Sequence, residues 1–162
     1  MVNKFFNKNF FDIFLIIIIF LTDRLSKLWV IKNLNINKEL EIIFSPYLSF
    51  NLIWNKGIAF GLFSFEKISS YNFLTILIVI VTIIILYMLF KSKGIEKYAF
   101  IMIFGGSLGN IFDRLYYSAV PDFIDIHYQN FHWFIFNVAD IFITLGVLIL
   151  ILREFILKNK DQ

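Results

Sequence analysis

The sequence predicts an all-α integral membrane protein of four transmembrane helices with a small extracytoplasmic β-sheet platform. Three observations carry that expectation. Of 162 residues, 59 % are apolar or aromatic and 17 % are charged, against about half and a quarter in an ordinary soluble domain, and the mean hydropathy is +0.78. Four stretches approach the roughly 20 apolar residues that a bilayer core about 30 Å thick requires. Between two of them Leu48, Phe50, Leu52 and Trp54 alternate with Ser49, Asn51 and Ile53, the period of two that marks a strand.

The first span is placed at 10–30, with an unbroken apolar run over 13–21 and Asp23, Arg24 and Lys27 towards its far end. Thr22, Asp23 and Arg24 stand where a cleavable leader would carry small residues, so the span is read as retained. The segment 33–70 follows and contains the alternating strand, after which Gly57 and Gly61 permit a turn or a close backbone approach. The second span, 71–90, has no charge. The third, 97–112, has an uncharged part only 15 residues long, 98–112, so it must take in flanking residues or stop short of one interface. The segment 113–135 leads to the fourth span, 136–155, where Asp140 is the single charge before Arg153. Together these form one membrane domain over 1–162, without internal repeats.

Basic residues fix the expected orientation. With four crossings, Lys4, Lys8, Lys91, Lys93, Lys97, Arg153, Lys158 and Lys160 fall on one side in three short flanks, and Lys32, Lys38, Lys56, Lys67 and Arg114 fall on the other. Short flanks rich in Lys and Arg stay in the cytoplasm, so both termini are expected there and 33–70 and 113–135 outside. The net charge of +3 gives no basic field of the kind nucleic acid demands. Absence of cysteine excludes disulfides, thiolate metal sites and cysteine nucleophiles.

Ionisable groups in or beside spans are costly and face a protein interior, a cavity or a relay. Three places qualify. Asp23 and Lys27 are four apart on one helix face and can pair, which also fits a helix-end ion pair with Lys27 snorkelling to water. At the exit of the third span, Gly105 and Gly109 share a face open to close approach by a helix or a substrate chain, and Asn110, Asp113 and Arg114 lie within one turn. They either satisfy a helix end or orient a nearby carboxylate. The third place is Asp122 in Val120-Pro121-Asp122-Phe123 together with Asp140 in Phe136-Asn137-Val138-Ala139-Asp140. The third span runs outward and the fourth returns, so both aspartates reach the outer surface. Asn137 and Asp140 equally fit a helix N-cap with an acid in the first turn.

If Asp122 and Asp140 converge, burial and mutual repulsion raise one pKa and the pair shares a proton. Such a dyad offers a carboxylate to activate water and an acid to polarise a carbonyl or protonate a leaving amine. His127 and His132 are five apart in a segment expected to be a loop, lack the helical spacing of HExxH zinc motifs, and read as surface residues beside the aromatics Trp133 and Phe134. There is no phosphate loop and no GxSxG nucleophile motif.

With these residues assembled, the chain resembles the lipoprotein signal peptidases, the bacterial type II signal peptidases of the inner membrane. The resemblance rests on five motifs in order: Asp23-Arg24-Leu25-Ser26-Lys27; Asn55-Lys56-Gly57-Ile58-Ala59-Phe60-Gly61; Gly105-Gly106 with Gly109-Asn110-Ile111-Phe112-Asp113-Arg114; Val120-Pro121-Asp122-Phe123; and Phe136-Asn137-Val138-Ala139-Asp140. It implies a four-span aspartic endopeptidase, monomeric and without cofactor or metal. Its implied partners are membrane lipid and a diacylglyceryl-modified prolipoprotein, which it cuts just before the lipidated cysteine. Asp122 and Asp140 match the family's catalytic pair. Asp113 is implied as a supporting acid, here taken as the partner of Arg114, and Asp23, Lys27, Asn55, Gly57, Asn110, Arg114, Asn137 and Ala139 match positions around the site. The departures are Arg24 for a common Gln, Ser118 for Gly, Pro121 for Val and Ile141 for Ser; Ser118 and Pro121 are expected to stiffen a loop carrying Asp122.

Three rivals remain on sequence grounds: a proton-coupled transporter, disfavoured because the second span carries no relay group; a magnesium-dependent transferase using Asp113, Asp122, Asp125 and Asp140 as ligands; and a membrane scaffold in which both aspartates are replaceable.

Overall fold

A computed structural model describes residues 2–36, 41–57, 68–129 and 131–158. The described residues form four helices, α1 (Val2–Ile36), α2 (Ile68–Lys91), α3 (Gly94–Tyr117) and α4 (Val138–Lys158), and four strands, β1 (Ile42–Ser45), β2 (Leu48–Asn55), β3 (Val120–Tyr128) and β4 (Phe131–Phe136). The protein is helix-rich, with a small antiparallel sheet in the order β1-β2-β3-β4.

Unbroken runs of Ile, Leu, Val and Phe, without proline, make α2 a continuous helix. Among the described residues, Ser70–Lys91 is the one stretch long and apolar enough by length and composition to cross a membrane. The short third apolar stretch lies inside a helix of 24 residues, about 36 Å at 1.5 Å per residue. α1 continues through 33–36 and α3 through 113–117, while Phe136 ends a strand and α4 starts at Val138. α3 runs past its expected end because Asp113 and Arg114 are buried and find partners inside the protein.

Glycines set the helix spacing. A Cβ on Gly106 would lie 2.6 Å from the Ala139 carbonyl oxygen, and one on Gly146 would lie 2.6 Å from that of Ala99, so α3 and α4 touch backbone to backbone at two levels. Gly105 packs on Ile19 of α1 and Gly109 lies against Asp23 and Ala139. The glycine face of α3 therefore serves helix packing. Ile19, Leu89, Phe100, Ile101 and Ile103 form one buried core among α1, α2 and α3. A second core joins α1 to the sheet through Val30, Leu34 and Phe123.

The alternating segment is β2. The segment 113–135, expected as a loop, instead holds β3 and leads into β4, because Val120, Ile124 and Ile126 pair with β2 and Ile135 and Phe136 cover the other edge. Pro121 and Asp122 therefore stand on a strand, with Asp122 opposite Ile53 and Pro121 opposite Trp54, and the expected stiffened loop is corrected. Ser118 closes α3 in the left-handed region, at φ 55° and ψ 24°, a conformation that favours glycine. Of the second motif, 58–61 lies outside the described residues.

Candidate active site

The first turn of α4 is the hub. Asn137 accepts from the Asp140 backbone N–H at 3.1 Å through its Oδ1, and the Asn137 backbone N–H donates to Asp140 Oδ2 at 3.2 Å. This reciprocal pair is a capping box, which satisfies helix-start N–H groups otherwise left without partners. The Asn137 side-chain amide also donates to Asp122 Oδ1 at 2.6 Å. One residue thus performs the capping role read from the sequence and bridges the two carboxylates.

Asp122 is 2 % exposed. Its second oxygen accepts from the Asn55 side chain at 2.8 Å, and Asn55 Oδ1 accepts from the Gly57 backbone N–H at 2.7 Å. β2–β3 pairing, with Asn55 opposite Val120, brings these groups together. Burial pushes the Asp122 pKa up to about 7, helped by the charge of Asp140 and opposed by hydrogen bonds from Asn55 and Asn137 and by the more distant charge of Lys27.

Behind the aspartates lies a buried ionic cluster. Lys27 is fully buried and does not snorkel, which corrects the water-facing reading. Its Nζ donates to Asp23 Oδ2 at 2.8 Å, to Asn110 Oδ1 at 2.9 Å and to Asp113 Oδ2 at 2.7 Å, using all three donors. Asn110 passes the chain on, donating from Nδ2 to Asp140 Oδ1 at 2.9 Å. Asp23 Oδ1 accepts from the Ala139 backbone N–H at 2.9 Å, so α1 holds the first turn of α4 directly.

The expected Asp113–Arg114 pair does not form. Asp113 pairs with Lys27 and Arg24 of α1, whereas Arg114 donates to the Gly57 carbonyl and sits over the Tyr71 ring, 5.7 Å from its centroid. Neighbours on a helix point about 100° apart, so Asp113 faces α1 while Arg114 faces α2 and the strand end. Arg24 lies over the Phe112 and Tyr117 rings at 5.1 and 5.4 Å.

All eleven sequence-derived site residues fall in this one region, from Lys27 at the back to Asn55 and Gly57 at the front. Asp125 does not join them. It pairs with His132 on the β3–β4 hairpin, and with Asp113 held by Lys27 and Arg24 the four-aspartate magnesium set is not assembled. The two histidines lie on strands, not in a loop. Beside Asp140, an apolar groove of about 460 Å³ is lined by Ile126, Trp133, Phe134, Phe136, Ile141 and Leu145 among others. Sequence reasoning missed it because its walls come from β3, β4 and α4 together, and generic aromatics carry no signal of their own.

A family model described as signal peptidase (SPase) II matches residues 15–156. The chain is 49 % identical over 159 residues to a lipoprotein signal peptidase of Pelagibacter ubique, covering 98 % of this chain and 96 % of that protein. It is 38 % identical over 164 residues to a lipoprotein signal peptidase of Blochmanniella pennsylvanica, with 97 % and 98 % covered. Two solved structures, each described as a bacterial membrane enzyme, share the fold. One has a TM-score of 0.78 at 24 % identity, covering 93 % of this chain and 91 % of its own; the other has 0.69 at 26 %, covering 88 % and 90 %.

Proposed function

The chain belongs to the signal peptidase II family, and from that premise we propose that it is an aspartic endopeptidase that removes the signal peptide from prolipoproteins, cutting just before the diacylglyceryl-modified cysteine. The observation that carries the reading is Asn137 holding Asp122 through its side chain while sharing a capping box with Asp140.

In the proposed reaction one carboxylate removes a proton from water as the water oxygen attacks the scissile carbonyl carbon. The other, protonated, donates to the carbonyl oxygen. The resulting tetrahedral intermediate collapses as a proton passes to the departing amine, and the pair regains its single proton. Asp122, with its pKa near 7, fits a pair that carries one proton at neutral pH, and the titration belongs to both groups. Charge balance supports the same state. Asp23, Asp113, Asp122 and Asp140 face Arg24, Lys27 and Arg114 among the buried groups, so one proton on the four carboxylates leaves the cluster neutral.

The reading extends to the membrane. We infer one membrane domain with four spans, both termini cytoplasmic, and a monomer acting at the outer face of the bacterial inner membrane. Its support is the apolar outward surface of the helices, including Ile17 and Leu21 of α1, Ile80 and Ile83 of α2, and Leu152 and Phe155 of α4, together with the basic flanks described above. The groove beside Asp140 suits hydrocarbon from a substrate held in the bilayer, where each buried acyl CH₂ contributes about 0.8 kcal/mol. Positioning then matters more than affinity from solution.

The test is cleavage of a diacylglyceryl-modified precursor by Asp122→Asn and Asp140→Asn. Each is expected to lower kcat by about a thousandfold or more while the melting transition persists. Near-normal turnover in either variant removes the dyad. Unmodified precursor is expected to be cut much more slowly, and equal rates on both substrates remove the membrane-anchored mode.

A further inference from the structure

The β3–β4 hairpin carries a cluster that the proposed reaction does not use. Asp125 and His127 are two apart on β3 and so share a face, and His132 of β4 stands directly opposite His127. The imidazole rings are 5.1 Å apart between centroids, inclined by 30°. His132 Nδ1 lies 2.9 Å from Asp125 Oδ2. These are both histidines of the chain.

The Asp125–His132 contact accounts for only part of this arrangement. The Asp125 side chain is 1 % exposed, yet among the described residues its Oδ1 has no hydrogen-bond partner, and neither does the buried Nδ1 of His127. Ser49, the cross-strand partner of Asp125, also buries a hydroxyl without a partner among the described residues. Buried polar atoms are costly when left unsatisfied, and each calls for an occupant. One ligand atom from each of Asp125, His127 and His132 lies within 4.8 Å of the others. Tetrahedral Zn²⁺ with bonds near 2.0–2.1 Å sets its ligands about 3.3 Å apart, so small side-chain rotations close the set. The His132 side chain is 54 % exposed, which leaves a solvent approach for a fourth ligand.

We propose that Asp125, His127 and His132 bind a divalent transition-metal ion, Zn²⁺ by the nitrogen-rich character of the set, with water in the fourth position and Ser49 able to orient the carboxylate. The ion clamps β3 to β4. β3 carries Asp122 and β4 runs into Asn137, so the clamp braces the strand pair from which both are held. It takes no part in hydrolysis, and Asp122, three positions away along β3, is on the opposite face.

The full untagged chain in detergent, stripped with a chelator, is titrated with ZnCl₂ against a chromophoric competitor, and melting is followed in parallel. One Zn²⁺ per chain is expected, with a rise in melting temperature on saturation, and Co²⁺ is expected to give tetrahedral d–d bands. His127→Gln and His132→Gln are each expected to weaken Zn²⁺ binding at least tenfold and to abolish the melting shift, while His132→Gln, at an exposed position, still folds. No saturable binding by the wild-type chain, or wild-type affinity in both histidine variants, overturns the site. A lower melting temperature in His132→Gln with no zinc response in the wild type identifies an ion pair only and overturns it equally.

Discussion

Asn137 donates a 2.6 Å hydrogen bond to Asp122 from a side chain whose carbonyl oxygen caps α4 at the Asp140 N–H. The strand and the helix are thereby locked in one geometry, and the protonation of Asp122 becomes visible both to chemistry and to folding.

Unfolded Asp122 releases its proton near the ordinary value of 3.8, whereas the folded chain holds it to about 7. Between those values the folded state binds more protons, so this group's contribution to stability declines as pH rises through the window and is level above it. Relative to wild type, Asp122→Asn is expected to gain melting temperature progressively from pH 4 to pH 7. In the proposed mechanism kcat/KM of the wild type falls about tenfold per pH unit above 7, as the pair loses its one proton. A flat alkaline limb removes that assignment.

Among the described residues, Lys27 is the one cation paired with Asp23, and it is shared with Asp113. Lys27→Ala leaves these buried carboxylates under-compensated and is expected to cost about 3–5 kcal/mol. Lys27→Arg is not expected to rescue it, because a planar guanidinium does not reach three acceptors converging on one point. Melting in detergent measures both.

Gly106→Ala places a methyl group against the Ala139 carbonyl and pushes the first turn of α4 away from α3. The expected loss is about 1–3 kcal/mol, with a larger drop in cleavage than in melting temperature. Gly146→Ala meets the Ala99 carbonyl at the same spacing but two turns beyond Asp140 along α4. It is expected to match the stability loss while retaining more activity, and equal activity losses show that the effect is general loosening.

Ser118 adopts a left-handed conformation that costs a side-chain-bearing residue about 1–2 kcal/mol. After the extra unfolded-state entropy of glycine, Ser118→Gly is expected to gain about 0.5–1 kcal/mol, or about 2–4 °C per kcal/mol in a chain of this size. Ser118→Ala, which keeps the Cβ, is expected to gain nothing.

The sequence makes local features legible and long-range partners much less so. Alternation over 48–54 reveals β2 because Phe50 and Leu52 of its apolar set pack on the core, and Asn137 with Asp140 announces the start of α4 because a capping box is local. β4 escapes because Phe131, Trp133, Phe134, Ile135 and Phe136 form an unpatterned apolar run that fits an interface belt as well as a strand. The partner of Asp113 escapes for another reason: Arg114 is adjacent, but Lys27 and Arg24 are more than eighty residues away and are selected by the packing of α1 on α3. Likewise His127 and His132 show no motif spacing, since hairpin register places them opposite each other.

The capping box makes the last helix the switch for its own site. During synthesis the ribosome delivers Asp122 before Asn137 and Asp140, and until α4 winds its first turn the earlier aspartate has neither its amide tether nor its acidic companion. A nascent chain that has not yet wound the first turn of α4 is therefore chemically inert in the proposed reaction, and competence arrives with that turn.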